Sequence, residues 1–227
     1  MSDIEHPTQT EGTFTRESRG LEFERVAFFS DAIYAIAMTL LVVDIKVPEL
    51  TQGKNDPMMV LDTLRQNTPE IIGFFLCFWL IGNTWISHHR FMASLHTIGH
   101  TLMTLNMFYL AFVAFMPFPV SMISHYENNI MSFLLFTGTL LVLNILELAM
   151  FIVAYRLGRT RATVTKEVFD FGVVGGSIPI IIFLLSIPVA LIHTTYGLLF
   201  WLLIFPISQY RRRHAPPEVH RYLKTGG

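Results

Sequence analysis

Arg25-Val-Ala-Phe-Phe29-Ser30-Asp31-Ala-Ile-Tyr-Ala-Ile36-Ala-Met-Thr39-Leu40-Leu-Val-Val43 is an apolar run that opens on an arginine and carries an aspartate inside it. A carboxylate at the centre of a membrane helix costs roughly 2.5–3.5 kcal/mol on insertion scales, so Asp31 is expected to face protein or water rather than lipid. A simple lipid anchor would omit both charges. The run is therefore read as an inner helix of a membrane assembly.

The rest of the chain agrees with a membrane location. Of 227 residues, 52% are hydrophobic and 15% charged, with a mean hydropathy of +0.49. Soluble domains carry about 25% charged residues, so the class is an integral membrane protein. A net charge of −1 gives no reason to expect nucleic-acid binding. Cys77 is the single cysteine, which excludes an internal disulfide. Residues 1–20 are polar, lack the apolar core of a secretory signal, and read as a disordered cytoplasmic tail.

A span needs about 20 apolar residues. Six candidates follow, at about 24–46, 69–92, 98–122, 130–155, 168–188 and 189–209, the last two divided only by Pro179, Pro188 and the polar His193-Thr-Thr. Between the first two, Met58 to Gln66 could form a short amphipathic helix. Six spans put all the lysines and arginines except Lys46, Lys54 and Arg65 on one side. The positive-inside rule then makes both termini cytoplasmic. The expected organisation is an all-α polytopic protein: a tail over 1–20, a six-helix transmembrane domain over 21–211, and a basic cytoplasmic tail over 212–227. No loop can hold a soluble catalytic domain, so no enzyme activity and no cofactor are expected.

Helical periodicity then divides the first span. At about 100° per residue, Phe29, Ala32, Leu40, Val43 and Val47 fall within about 40° of Ile36, and Thr39 about 60° away. Asp31 points about 140° away from Ile36, so the stripe and the carboxylate serve different neighbours. An apolar stripe of this kind packs against lipid or another helix, or, repeated about a symmetry axis, lines a narrow conduit whose apolar rings gate by dewetting. Periodicity leaves both open.

Arg25-x-x-x-Phe29-Ser30-Asp31, Trp85-x-x-His88-His89-Arg90, Leu105-Asn106 and Pro117-Phe118-Pro119 together resemble the transmembrane protein 175 family of potassium-permeable channels. The resemblance covers spans one to three by motif and the remainder by hydropathy. It implies a single-repeat, prokaryotic-type chain assembling as a homotetramer in the cell membrane and passing K⁺ and other monovalent cations. It also implies a pore lined by the first span, with a ring of bulky aliphatic side chains at Ile36, further rings at Leu40 and Val43, and a polar ring at Thr39. Arg25, Phe29, Ser30, Asp31, Trp85 and His88 or His89 would form a polar network that fixes the helices without touching ions. A buried carboxylate does want an indole, imidazole, hydroxyl or guanidinium donor. Arg25 and Asp31, six apart on one helix, are awkward partners for each other.

Other polar residues carry weaker expectations. Glu147, beside Asn144 in span four, is either a helix-packing group or, as Asp31 could also be, the titrating site of a proton-coupled transporter, the alternative function. Asp44 could enrich cations at a channel mouth or pair with Lys46. His96 and His100 lack a third metal ligand. Gly172-x-x-x-Gly176 favours close helix approach, and Arg211-Arg212-Arg213 anchors the end of a span, with secondary affinity for anionic lipid. An intramembrane enzyme would need a nucleophile with a base, and His88-His89 with Asp31 supplies none.

Overall fold

The structure, a computed structural model, describes residues 9–45, 57–126 and 128–225. Lys46, Val47 and Lys54 lie outside the described residues, as does the side chain of Asp44.

The first helix, α1, spans Gln9–Leu40 and tightens into a 3₁₀ turn over Leu41–Asp44. It buries Ser30, Tyr34, Ala37 and Leu41, one face at helical spacing. The helix starts well before the apolar run, so residues 9–20 are helical where composition reads as a disordered tail. Once a helix is nucleated by its apolar part, adding residues costs little, and no proline falls between Pro7 and Pro48 to stop it.

The short helix α2, Pro57–Gln66, sits where the amphipathic segment is expected and buries nothing among the described residues. Helix α3, Thr68–Ala93, is the second span. The third is built from α4, His100–Phe115, and α5, Pro117–His125. Pro117 has no N–H for the Val113 carbonyl, and the Met116 N–H takes it instead at 3.2 Å. Helix α6, Ile130–Arg156, starts at Asn129, whose side chain accepts from the N–H groups of Met131 and Ser132.

Helix α7, Lys166–Ala190, runs unbroken through Pro179 and Pro188, which the expected boundary treats as interruptions. No water competes for the backbone inside a bilayer, so a proline loses one bond without ending the helix. The break falls at His193, whose ring accepts from the Thr195 N–H at 3.3 Å. The sixth span is composite and begins later than 189: α8, Thr194–Phe200, a 3₁₀ turn over Trp201–Leu203, and α9, Ile204–Arg213. Among the described residues five helical stretches are each long and apolar enough to cross a membrane. The composite path of 194–213 adds about 30 Å of helical rise.

The segment expected as a basic tail contains α10, Pro217–Thr225. It is not loose. Ala215 and Val219 are buried against Val164 and Val168 in a small core of their own. At the same end the loops after α3 and α6 are tied together: His96 donates its N–H to Arg159, and Arg161 donates from its N–H to Ser94 and from Nε to the Leu95 carbonyl. These are the basic loops, gathered at one end of the bundle with α10.

Candidate functional site

A chain of hydrogen bonds crosses the α1–α3–α4 interface. His88, from α3, is 1% exposed and its Nε2 lies 2.8 Å from Asn106 Oδ1 on α4. Asn106 donates from Nδ2 to Ser30 Oγ at 3.0 Å, and Ser30 donates back to the Val26 carbonyl at 2.9 Å. With its amide nitrogen committed to Ser30, Asn106 turns its oxygen to His88, so Nε2 carries the proton. Below the imidazole, Tyr109 stacks at 5.1 Å between ring centroids and 9° between planes. The Tyr109 and Tyr34 hydroxyls meet at 2.6 Å. All five side chains are buried.

Asp31 is met separately. The Trp85 indole N–H donates to its Oδ1 at 2.8 Å, bridging α1 and α3. His89 stands against the Trp85 ring at 5.5 Å and is itself exposed. Of the two histidines, His88 enters the hydrogen-bonded network, and His89 contributes only its ring. Arg25 and Phe29 stand outside it. Both are exposed and border an open groove of about 420 Å³ between α1 and α4 that also touches Met103, Asn106 and Met107. Six residues of helix place Arg25 about 120° round from Asp31 and about 9 Å along the axis, too far to join its own aspartate.

On the other side of α1, Phe29, Ala32, Ile36, Thr39, Leu40 and Val43 are all exposed, Ile36 by 55% and Val43 by 68%. The hydroxyl of Thr39 shares its hydrogen between the Ala35 and Ile36 carbonyls, at 2.9 and 3.0 Å. Its lone pairs therefore face outward. The helix is two-sided: one face is committed to the rest of the chain by hydrogen bonds, and the other is an exposed apolar strip with one hydroxyl.

Tyr34 and Tyr109 are the network members that sequence reasoning missed. Their signal lay in spacing, Tyr34 four residues after Ser30 and Tyr109 three after Asn106, each on the same helical face as a polar partner. Glu147 borders a different cavity, with the Ser87 hydroxyl in hydrogen-bonding reach. Among the described residues no group of three side chains could hold a metal ion, and His96 and His100 do not gather one.

Comparisons with known proteins agree with this geometry. The family described as endosomal/lysosomal potassium channel TMEM175 matches residues 25–117, which contain the whole network and the stripe. A potassium channel of Streptomyces collinus is 35% identical over 105 residues, 46% of this chain and 49% of its own length. The human endosomal/lysosomal proton channel TMEM175 is 33% identical over 101 residues, 43% of this chain and 20% of its own. The chain thus spans about half the length of the bacterial relative. The crystal structure of a lysosomal potassium-selective channel TMEM175 homolog from Chamaesiphon minutus superposes with a TM-score of 0.67 at 22% identity, covering 86% of this chain and 98% of that one. The two share a fold.

Proposed function

This chain belongs to the TMEM175 family, and on that premise we propose that it is a potassium-permeable cation channel whose conduit is lined by α1 from several copies. The observation that carries the reading is the two-sidedness of α1. Its Ser30, Tyr34 and Asp31 side is fixed by α3 and α4, while the Ile36 side is exposed along its length. In a homotetramer these strips would meet on the axis. Ile36 then forms the narrowest apolar ring, Leu40 and Val43 continue it outward, and Thr39 offers hydroxyl oxygens to a partly dehydrated cation. Phe29 widens into the inner mouth. The open groove beside Arg25 supports packing of a neighbouring subunit there, with the guanidinium crossing to it.

An apolar ring passes ions only when it is wide enough to stay wet, so its side chains set both the barrier and the discrimination. Gathering of the basic loops and α10 at one end supports placing both termini on the cytoplasmic face of the cell membrane. The test is the reversal potential of the purified full chain in planar bilayers under opposed K⁺ and Na⁺ gradients. A current reversing on the K⁺ side is expected, and Ile36→Asn should raise flux about tenfold while lowering the K⁺ over Na⁺ ratio, an effect of about 1.4 kcal/mol on the barrier. Unchanged conductance and selectivity in Ile36→Asn would remove the gate from this position.

A further inference from the structure

A chamber with apolar walls and three arginines lies in the other half of the molecule, apart from the α1–α3–α4 network. It has a volume of about 330 Å³ and opens among α3, α6, α7, α9 and α10. Three arginines line it: Arg90 in the last turn of α3, and Arg211 and Arg212 in the last turn of α9. Both turns lie at the basic end of the bundle, at the depth where headgroups meet a span.

Arg211 is held in place before any ligand arrives. Its Nη2 donates to the Phe171 carbonyl at 2.7 Å, and its Cζ lies 3.9 Å over the Phe171 ring. Gly175 leaves the room for this, since a Cβ there would stand 2.8 Å from Nη2 and 3.2 Å from Nη1. Nη1 is buried and meets no protein acceptor. Among the described residues no carboxylate forms an ion pair with any of these three arginines. Glu147 also borders the chamber, more than two turns along α6 from Arg156. The Ser208 and Tyr222 side chains complete the rim.

A guanidinium is a flat fork of donors that matches two oxygens of one phosphate, and its binding is charge-assisted. We propose that this chamber is a phosphate-group site, filled by the headgroup of an anionic phospholipid or by soluble phosphate, with Arg211 as its fixed donor and Arg90 and Arg212 closing over the anion.

The experiment uses the purified full chain in neutral detergent. Unfolding is followed by the reaction of the buried Cys77 thiol with a fluorogenic maleimide, while phosphatidylglycerol, inorganic phosphate or a neutral glycolipid is added. At a hundredfold excess over Kd, phosphatidylglycerol should raise the melting temperature by about 5 °C. Arg211→Gln should weaken the apparent affinity about tenfold or more, and Arg90→Gln, at an exposed side chain, about threefold with the unliganded melting temperature kept. Stabilisation by inorganic phosphate without a lipid preference would uphold the site and assign it to the soluble ion. Equal stabilisation by the glycolipid, or unchanged affinity in Arg90→Gln and Arg211→Gln, would overturn it. Should Arg211→Gln fail to fold, Arg90→Gln decides alone.

Discussion

Between α1, α3 and α4 the buried contacts are directional: indole to carboxylate, imidazole to amide, amide to hydroxyl, phenol to phenol. Between α6, α7 and the composite sixth span they are mostly rings. Trp201 packs on Phe133, Phe136 and Phe183 at 6.0, 5.4 and 5.0 Å, with a single hydrogen bond from its indole N–H to Ser186. A ring cluster tolerates a small rotation of a helix because dispersion is weakly directional. A hydrogen-bonded chain does not, because its energy falls steeply with angle. The first half thus fixes how far α1 is rotated, and in the proposed channel that rotation would decide whether Ile36 or Ala35 faces the axis. The second half supplies bulk and holds the arginine chamber.

Three substitutions test that contrast, each read from Cys77 reactivity on denaturation of the purified protein. Asn106→Leu should cost most, roughly 2–4 kcal/mol, because it strands His88 Nε2 and takes from Ser30 Oγ its donor, the two losses at about 1–3 kcal/mol each. A melting temperature equal to the parent's would show that the chain of bonds does not hold the first half together. Trp85→Phe keeps the ring against His89 and removes only the donor to Asp31, so about 2 kcal/mol is expected. Conduction should lose K⁺ preference in the same variant if α1 rotates, and retained preference would mean that Asp31 does not set the rotation. Trp201→Phe should cost least, about 1 kcal/mol, since most of the ring packing survives the loss of one bond to Ser186. A larger loss here than in Trp85→Phe would reverse the assignment of which half is directional.

Much of this was legible in the residues themselves. Hydropathy placed five spans nearly to their ends, because a bilayer leaves a backbone few alternatives to a helix. Periodicity found the strip on α1, since one face of that helix is apolar and the carboxylate faces away. The family resemblance put Trp85 beside Asp31, and the need of an intramembrane acid for a donor left an indole as one of several choices. Other features resisted for physical reasons. Tyr34 and Tyr109 sit inside apolar runs, where spacing puts each on a polar face but only the fold brings their hydroxyls together. Pro179 and Pro188 look like breaks because in water they would be. Helix α10 is nine residues long and a third charged, and only the burial of Val219 against Val164 and Val168 makes it worth forming. The chamber draws on five helices, and no spacing along the chain announces a site assembled from so many.

The hydrogen bonds of the first half also impose an order on synthesis. Ser30 waits for a partner 76 residues further along, and Asp31 for one 54 residues on. At about 5–20 residues per second, roughly 4–15 s separate the making of Ser30 from that of Asn106. Until Trp85 and then Asn106 are made, the first span carries Asp31 and Ser30 without these donors. The polar face that later sets the helix rotation is thus, during biogenesis, a reason for the nascent span to stay beside the insertion machinery until the third arrives.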